Sequence, residues 1–301
     1  MADVAVVIGN YGGEHLLPDC LASLGAQTLA PSEVLVVDGA SLDRSVVVAE
    51  TLGARVLRRE NRGLGHLYNE GAGATEAEFV LLLNNDVALD VHCLELLADA
   101  LDTDNSLFAA DPRQVDWGGS RDVKARTTLA RGRLLREYIP SLQLDDNVPS
   151  NETVPTVSAH GAAMLVRRQL LLELGGFDET FFMEWEDLDL CWRAWLRGHG
   201  SVYVPAASLR HRVGAVTSPG DLTRRLSSSH HNLMRFALKC LPAGAAARVV
   251  AGELLRLPAH PRLIAPAVLA LVRELPEILA LRRQIVPSRA HLDWLLAGMP
   301  G

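Results

Sequence analysis

Residues Phe79–Val87, FVLLLNNDV, constrain the fold more than any other stretch. Five consecutive apolar residues read as a strand buried on both faces, the kind found inside a parallel sheet. The run stops at Asn84-Asn85-Asp86, where the chain leaves the core on three short polar side chains. Ligands of open α/β sheets bind just beyond the carboxyl ends of the strands. A carboxylate flanked by two amides at such a point suits a hard divalent cation that carries a diphosphate, because Mg²⁺ takes few protein oxygens and fills the rest from phosphate. The same three residues also suit an ordinary Asn/Asp turn after a strand.

The residues before this strand repeat its pattern. Asp3–Ile8 (DVAVVI) reads as a first buried strand that ends at Gly9-Asn10-Tyr11-Gly12-Gly13. Glycines there permit close backbone approach to a ligand, but the G-x-G-x-x-G spacing of a dinucleotide site is absent. A helix runs to about Leu24, and Glu33–Val37 (EVLVV) forms a second strand ending in Asp38. Ser41 and Asp43 can cap the next helix, up to Leu52, which leaves the Asp38 carboxylate free for a ligand. Ala54–Leu57 is a short third strand, followed by Asn61-Arg62-Gly63-Leu64-Gly65 and a helix containing Tyr68, Asn69 and Gly71. Strand-helix alternation with short polar connections predicts an α/β fold with a doubly wound, mostly parallel sheet flanked by helices.

Beyond this strand, Val91–Leu101 reads as an amphipathic helix and Leu107–Ala110 as a strand. From Pro112 to Pro155 periodicity dissolves, and an irregular insertion of that length is usually functional or mobile. Val157–Val166 is expected as a strand and Arg168–Leu174 as a helix ended by Gly175-Gly176. The block GGFDETFFMEWEDLDLCWRAWLRGHG (175–200) then places Glu184, Glu186, Asp187 and Asp189 within six positions. With Leu188, Cys191, Trp192 and Trp195 on the apolar stripe, Glu186 and Asp187 fall at a helix entry where a pocket can use them. Helix-capping acids on a solvated face are the other reading. Ser201–Val204 is a last short strand, and His211 follows Asp187 by 24 residues.

Charge divides the chain. Only 5 of 36 acidic residues but 13 of 29 Lys and Arg lie in 206–301, so that tail carries +8 and residues 1–205 carry −15. The acidic part argues against nucleic-acid binding. The basic, Leu-rich tail reads as helices punctuated by prolines, with Leu263–Val272 bracketed by Arg262 and Arg273. Such a segment suits an anionic membrane interface, and equally a set of packing helices with solvated arginines. Four cysteines without a C-x-x-C pair suggest a reduced compartment and no zinc cluster. The N-terminus shows no basic signal-peptide region, and no run of ~20 apolar residues is present to span a bilayer.

The ordered motifs NYGG (10–13), VDGAS (37–41), NRGLGHLYNEG (61–71), LLLNNDV (81–87), HGAAMLVRR (160–168) and GGFDETFFMEWEDLDLCWR (175–193) resemble the family-2 glycosyltransferases of the GT-A fold, in particular their rhamnosyltransferase and galactofuranosyltransferase-like branch. The resemblance spans roughly residues 1–215, and SSHHNLMRFALK (228–239) is similar to the segment that follows the catalytic domain in many such enzymes. It implies a GT-A catalytic domain over 1–215, with 112–156 as an acceptor-side insertion, and a helical C-terminal extension over 216–301 that meets a membrane or a second subunit. The implied reaction is metal-dependent, inverting transfer of a sugar, rhamnose first, from a dTDP- or UDP-linked donor to a glycan or lipid-linked glycan at the cytoplasmic face of a membrane. Asp86 then binds Mg²⁺ or Mn²⁺ in place of the family's D-x-D element, with Asn84 departing from its first acid and His211 as a further ligand. Asp38 contacts the nucleobase, Asn10 and Tyr11 line its pocket, and Asn61, Arg62, Asn69, Asn84 and Asn85 belong to the nucleotide-sugar site. Asp187 is the catalytic base, Glu186 its helper, and Trp185 either stacks on a sugar ring or packs in the core. Two rivals are a sugar nucleotidyltransferase, against which the first loop GNYGGEH lacks a cation, and a binding module that kept the fold and lost the chemistry.

Overall fold

The computed structural model describes residues 2–124, 126–129, 142–145, 148–214 and 222–285. Five elements in the first half alternate as the pattern predicts: β1 (Val4–Asn10), α1 (Leu17–Gly25), β2 (Glu33–Asp38), α2 (Ser45–Thr51) and β3 (Arg55–Arg58). They are followed by α3 (Leu64–Gly73), β4 (Phe79–Asn84), β5 (Val87–Leu89) and α4 (Cys93–Asp102). Strands β3, β2, β1 and β4 lie side by side and parallel. Side chains alternate across a strand. Phe79, Leu81 and Leu83 of β4 therefore join Val4, Val6 and Ile8 in one apolar layer, while Val80 and Leu82 join Val7 in the other. All five apolar residues of β4 are fully buried, each contributing about 1.5–3 kcal/mol of burial energy.

The second half departs from the expected pattern in three places. β6 (Leu107–Asp116) continues through Pro112, and residues of the expected irregular insertion form β7 (Asp122–Lys124), β8 (Arg126–Leu129), β9 (Leu142–Asp145) and β10 (Val154–Thr156). β11 begins only at Ala163 and ends at Arg167, so 157–162 is a loop rather than the start of a strand. Then come α5 (Arg168–Glu173), α6 (Glu186–Leu196) and β12 (Gly200–His211), the last far longer than the four residues expected. Strand β12 passes Pro205 by a register shift between Val204 and Ser208, a bulge that absorbs the missing proline donor. The sheet is mixed, ordered β10-β12-β6-β11-β4-β1-β2-β3, with β11 antiparallel between β4 and β6.

Three tail helices complete the described residues: α7 (Leu222–Cys240), α8 (Ala243–Arg256) and α9 (Pro261–Gln284). The expected domain boundary near 215 lies outside the described residues. Phe236 of α7 packs edge-on against Trp192 of α6 at 5.5 Å, in a layer with Phe181, Trp195 and Val249. A buried ionic network ties the same helices down: Arg235 binds Asp178 at 3.0 Å and Glu274 at 3.0 Å, and Lys239 binds Asp178 at 2.5 Å and Asp189 at 2.7 Å. No helix among the described residues is long and apolar enough to cross a membrane.

Candidate active site

The carboxyl ends of β1, β2 and β4 reach one edge of the sheet in register, with Asn10 opposite Asp38 and Gly9 opposite Asn84. Past that edge opens a cavity of about 520 Å³, within the usual range for a small-ligand site. Asn10, Tyr11, Asn61, Asn84, Asn85, Asp86, Glu186 and His211 all line it. Topology explains why His211 arrives there: β12 pairs with β5, placing His211 opposite Val87, the residue after Asp86. His211 Nε2 stands 3.4 Å from Asp86 Oδ1, while its Nδ1 donates to Gln114 Oε1 at 3.2 Å. Gln114, on the β6 stretch that the sequence pattern left irregular, thereby turns the ring so that Nε2 faces the carboxylate.

Two buried oxygens at this cavity, Asp86 Oδ1 and Glu186 Oε2, accept no hydrogen bond. Buried polar atoms are nearly always paired, so these two are places where a ligand belongs. An anionic carboxylate oxygen facing an imidazole nitrogen fits a divalent cation that takes two protein ligands and fills its remaining positions from phosphate oxygens. Among the described residues no cluster of three or more His, Cys, Asp and Glu would hold an ion by protein groups alone.

Glu186 reaches the same cavity from the far side of β4, while its neighbour Asp187 is not among the lining residues and sits against Gly161. Because β11 runs antiparallel to β4, its leading loop lies beside the β4 tip, and Asn84 N–H donates to Ala162 O at 2.9 Å. The Tyr68 hydroxyl sits 2.9 Å from Asn84 Oδ1 and 3.0 Å from Gly161 O, and Gly161 N–H donates to Asp187 Oδ2 at 3.1 Å. Burial, and then the carboxylates of Asp86, Glu186 and Asp187, push the Tyr68 phenol well up, so it stays protonated. Asp187 Oδ1 accepts from Leu188 N–H at 2.7 Å. Each Asp187 oxygen thus holds one backbone donor and keeps a lone pair. Glu186 lies at the first turn of α6, where the helix dipole favours its charged form. Burial overrides this: together with the neighbouring Asp187 charge, it pushes the Glu186 carboxyl up to about 8. Both effects favour the protonated form of Glu186, which can donate a hydrogen bond into the cavity.

Several expected site residues are occupied by the protein itself. The Asp38 carboxylate, read as free, accepts from Asn10 Nδ2 at 2.8 Å and from the Ser41 hydroxyl and N–H at 2.5 and 3.0 Å. Ser41 is drawn away from the helix start, and Asp43 alone accepts from Ser45 N–H. Asn85 donates to Asn10 Oδ1 at 2.7 Å, so Asp38, Asn10 and Asn85 form one hydrogen-bonded chain, of which Asn10 and Asn85 line the cavity. Arg62 pairs with Glu179 at 2.9 Å. Asn69 spends its amide on Phe177 N–H and O, at 2.8 and 3.0 Å, bracing the loop that follows α5. Trp185 does not face the cavity; its ring packs 5.8 Å from that of Phe236, so the packing reading of this residue is the one observed.

A protein-family model, "Glycosyl transferase family 2", matches residues 5–175. The chain belongs to this family: it is a family-2 glycosyltransferase of the GT-A fold. It is 29% identical over 262 residues to an N-acetylglucosaminyl-diphospho-decaprenol L-rhamnosyltransferase of Mycobacterium tuberculosis H37Rv, covering 78% of this chain and 84% of that one. It is 27% identical to a dolichyl-phosphate hexose transferase of Haloferax volcanii over 216 residues, 70% of this chain and 85% of the other. A similar solved fold is a mannosyltransferase of Pyrobaculum calidifontis in complex with GDP-Man and Mn²⁺, with a TM-score of 0.55 and 20% identity over 98% of this chain and 83% of that one.

Proposed function

We propose that this protein moves a sugar, rhamnose first, from a dTDP- or UDP-linked donor to a hydroxyl of a glycan or lipid-linked glycan, with inversion at the anomeric carbon. The observation that carries this reading is one cavity lined by Asp86 and His211 and by Glu186, with a buried carboxylate oxygen of Asp86 and one of Glu186 left without a hydrogen bond. Asp86 and His211 would hold Mg²⁺ or Mn²⁺, which when bound neutralises charge on the departing diphosphate. Asp187 accepts the proton of the acceptor hydroxyl as its oxygen bonds to the anomeric carbon and the bond to the diphosphate breaks. Glu186, holding its own proton, donates a hydrogen bond to a sugar or acceptor oxygen. Asn10 and Asn85, already linked, present backbone and amide groups to the nucleotide, with Tyr11 and Asn61 at the rim and Asn84 beside the ribose. The name of the mycobacterial relative supports a prenyl-diphosphate-linked GlcNAc acceptor, and an enzyme acting on such an acceptor would work at a membrane face.

A thermal-shift screen of nucleotide sugars with and without Mn²⁺ tests the donor, because a ligand that binds only the folded state raises the melting point. The expected result is a shift with one dTDP- or UDP-sugar that needs Mn²⁺ and is lost in Asp86→Ala. Transfer of that sugar to a short-chain prenyl-diphosphate GlcNAc should fall by about 10²–10⁴-fold in Asp187→Asn, the usual contribution of a general base. Undiminished transfer by Asp187→Asn overturns the assignment of the base.

A further inference from the structure

Helix α6 begins in a conformation that L-residues avoid. Glu184 and Trp185, neither of them glycine, have φ of 64° and 77°, two successive left-handed residues directly before Glu186. In that region Cβ crowds the following carbonyl oxygen, so such a pair persists only where its surroundings over-determine it. Here the surroundings come from the tail. Asn232 of α7, 1% exposed, donates both amide hydrogens, one to Met183 O and one to Glu184 O, each at 2.9 Å. The next residue back, His231, donates from Nδ1 to Asn232 Oδ1 at 2.9 Å, which fixes which way the amide points. Its Nε2 faces Glu274 of α9, also at 2.9 Å. The Trp185 indole N–H reaches Ser229 of α7 at 3.4 Å, while the Trp185 carbonyl accepts from Asp189 N–H at 2.8 Å to close the first turn of α6.

We propose that Asn232 is a positioning residue for sugar transfer: by clamping the Met183 and Glu184 carbonyls it holds the left-handed turn that sets Glu186 at the cavity and Asp187 directly behind it. This rests on the reading of those two acids as the groups that act on the acceptor. A helix from outside the matched family region, 5–175, is then part of the catalytic apparatus rather than an appendage. The clamp works at the right place for this. Phe182 and Met183, immediately before the turn, line the cavity, and Glu186, immediately after it, carries an unpaired oxygen there. Releasing the two carbonyls lets Glu184 and Trp185 relax toward negative φ. The first turn of α6 and its acids then move, while the Asn10, Asn85 and Asp86 side of the cavity stays in place. Loss of the clamp is therefore expected to act on the chemical step and to spare the nucleotide.

The test compares wild type with Asn232→Ala in transfer from the selected nucleotide sugar to a short-chain prenyl-diphosphate GlcNAc, with UDP and dTDP as binding probes. The expected result is a fall in kcat of about 10–100-fold, the scale of an ångström-sized misplacement. Nucleotide affinity and donor KM stay within about threefold, as for an interaction realised only in the transition state. Adding Glu184→Gly to Asn232→Ala should return a good part of kcat, since glycine takes positive φ without steric cost. A merely structural role predicts no such rescue. If Asn232→Ala does not fold, His231→Gln removes the orienting ring while leaving Asn232, and should lower kcat with nucleotide affinity kept. Wild-type kcat in the variant that folds overturns the proposal, and so does a parallel loss of kcat and nucleotide binding without rescue. Unchanged transfer by Asp187→Asn and Glu186→Gln would instead refute the acid-pair reading, and is read separately.

Discussion

Glu186 shows most sharply how the environment of one residue can reverse its chemistry. As part of an acid-rich helix start it looks like a group that the helix dipole keeps charged. Buried beside Asp187 with one oxygen unpaired, it holds its proton up to about pH 8. The folded state then binds more protons than the unfolded chain between about pH 4.5 and pH 8, so stability falls as pH rises through that window. Glu186→Gln imitates the protonated form. In metal-free protein its melting point should exceed that of wild type by a margin that is small at pH 5 and widens to pH 9. A margin independent of pH would show that Glu186 is not the group responsible. Three residues expected at the nucleotide-sugar site share one feature. Asp38, Arg62 and Asn69 have side chains suited to a nucleotide, but each finds a partner in its own chain: Asn10 and Ser41, Glu179, and Phe177. Residue type shows what a side chain can bind, while only the fold shows whether that capacity is already used. Gln114 and Asn232 were missed for the converse reason, since their partners lie 97 and 48 or 49 residues away and neither carries a motif of its own.

At the scale of elements, legibility followed local patterning. β1, β2 and β4 were readable because an apolar run ending in short polar residues describes a parallel strand and its exit at once. The lengths of β6 and β12 were not, because Pro112 and Pro205 read as breaks and the sheet takes both inside strands, one of them by a bulge. α7 was visible as a helix, but its role as a cover for α6 depends on charges whose partners are distant in sequence. Asp178 is the centre of that cover. Burial acts against its charge, yet Lys239 and Arg235 outweigh burial and hold the carboxyl well below the usual carboxylate range. Its contribution is present above the unfolded carboxylate pKa and is lost as pH falls below it. Asp178→Asn leaves Arg235 and Lys239, 0% and 1% exposed, short of a carboxylate. Breaking a buried pair from one side costs about 3–5 kcal/mol. Chemical denaturation at pH 7 should show a loss of that size, and the gap to wild type should narrow by pH 3. A loss under about 0.5 kcal/mol, typical of surface substitutions, would mean the network is not what holds the tail.

For the whole molecule, the positive tail has to be divided before it is interpreted. Arg235 and Lys239 are neutralised internally by Asp178, Asp189 and Glu274, so they lend nothing to an outer field. Arg248, Arg262, Arg273 and Arg283 remain exposed. α9 is apolar on two sides: Ile264, Ala267, Leu271 and Ile278 face the protein, while Leu269, Val272, Leu275 and Leu279 face outward at 54%, 62%, 38% and 42% exposure. An outward apolar stripe bordered by arginines matches the interface of an anionic bilayer, where each cation near the surface adds about 1 kcal/mol and apolar burial adds to it. A lipid-linked acceptor would be met in that plane. Because Phe236 and Trp192 pack across the α6–α7 contact, removing the tail would expose core, and the full chain is the material to use. The chain should pellet with phosphatidylserine-containing vesicles at low ionic strength and be released as salt shortens the Debye length to about 8 Å at 0.15 M. Leu269→Asp with Val272→Asp should abolish pelleting while leaving the melting point unchanged, since neither side chain packs inward. If wild type stays in the supernatant at low salt, the membrane reading falls. If it sediments as a dimer that the same pair of substitutions dissolves, the stripe is a subunit contact instead.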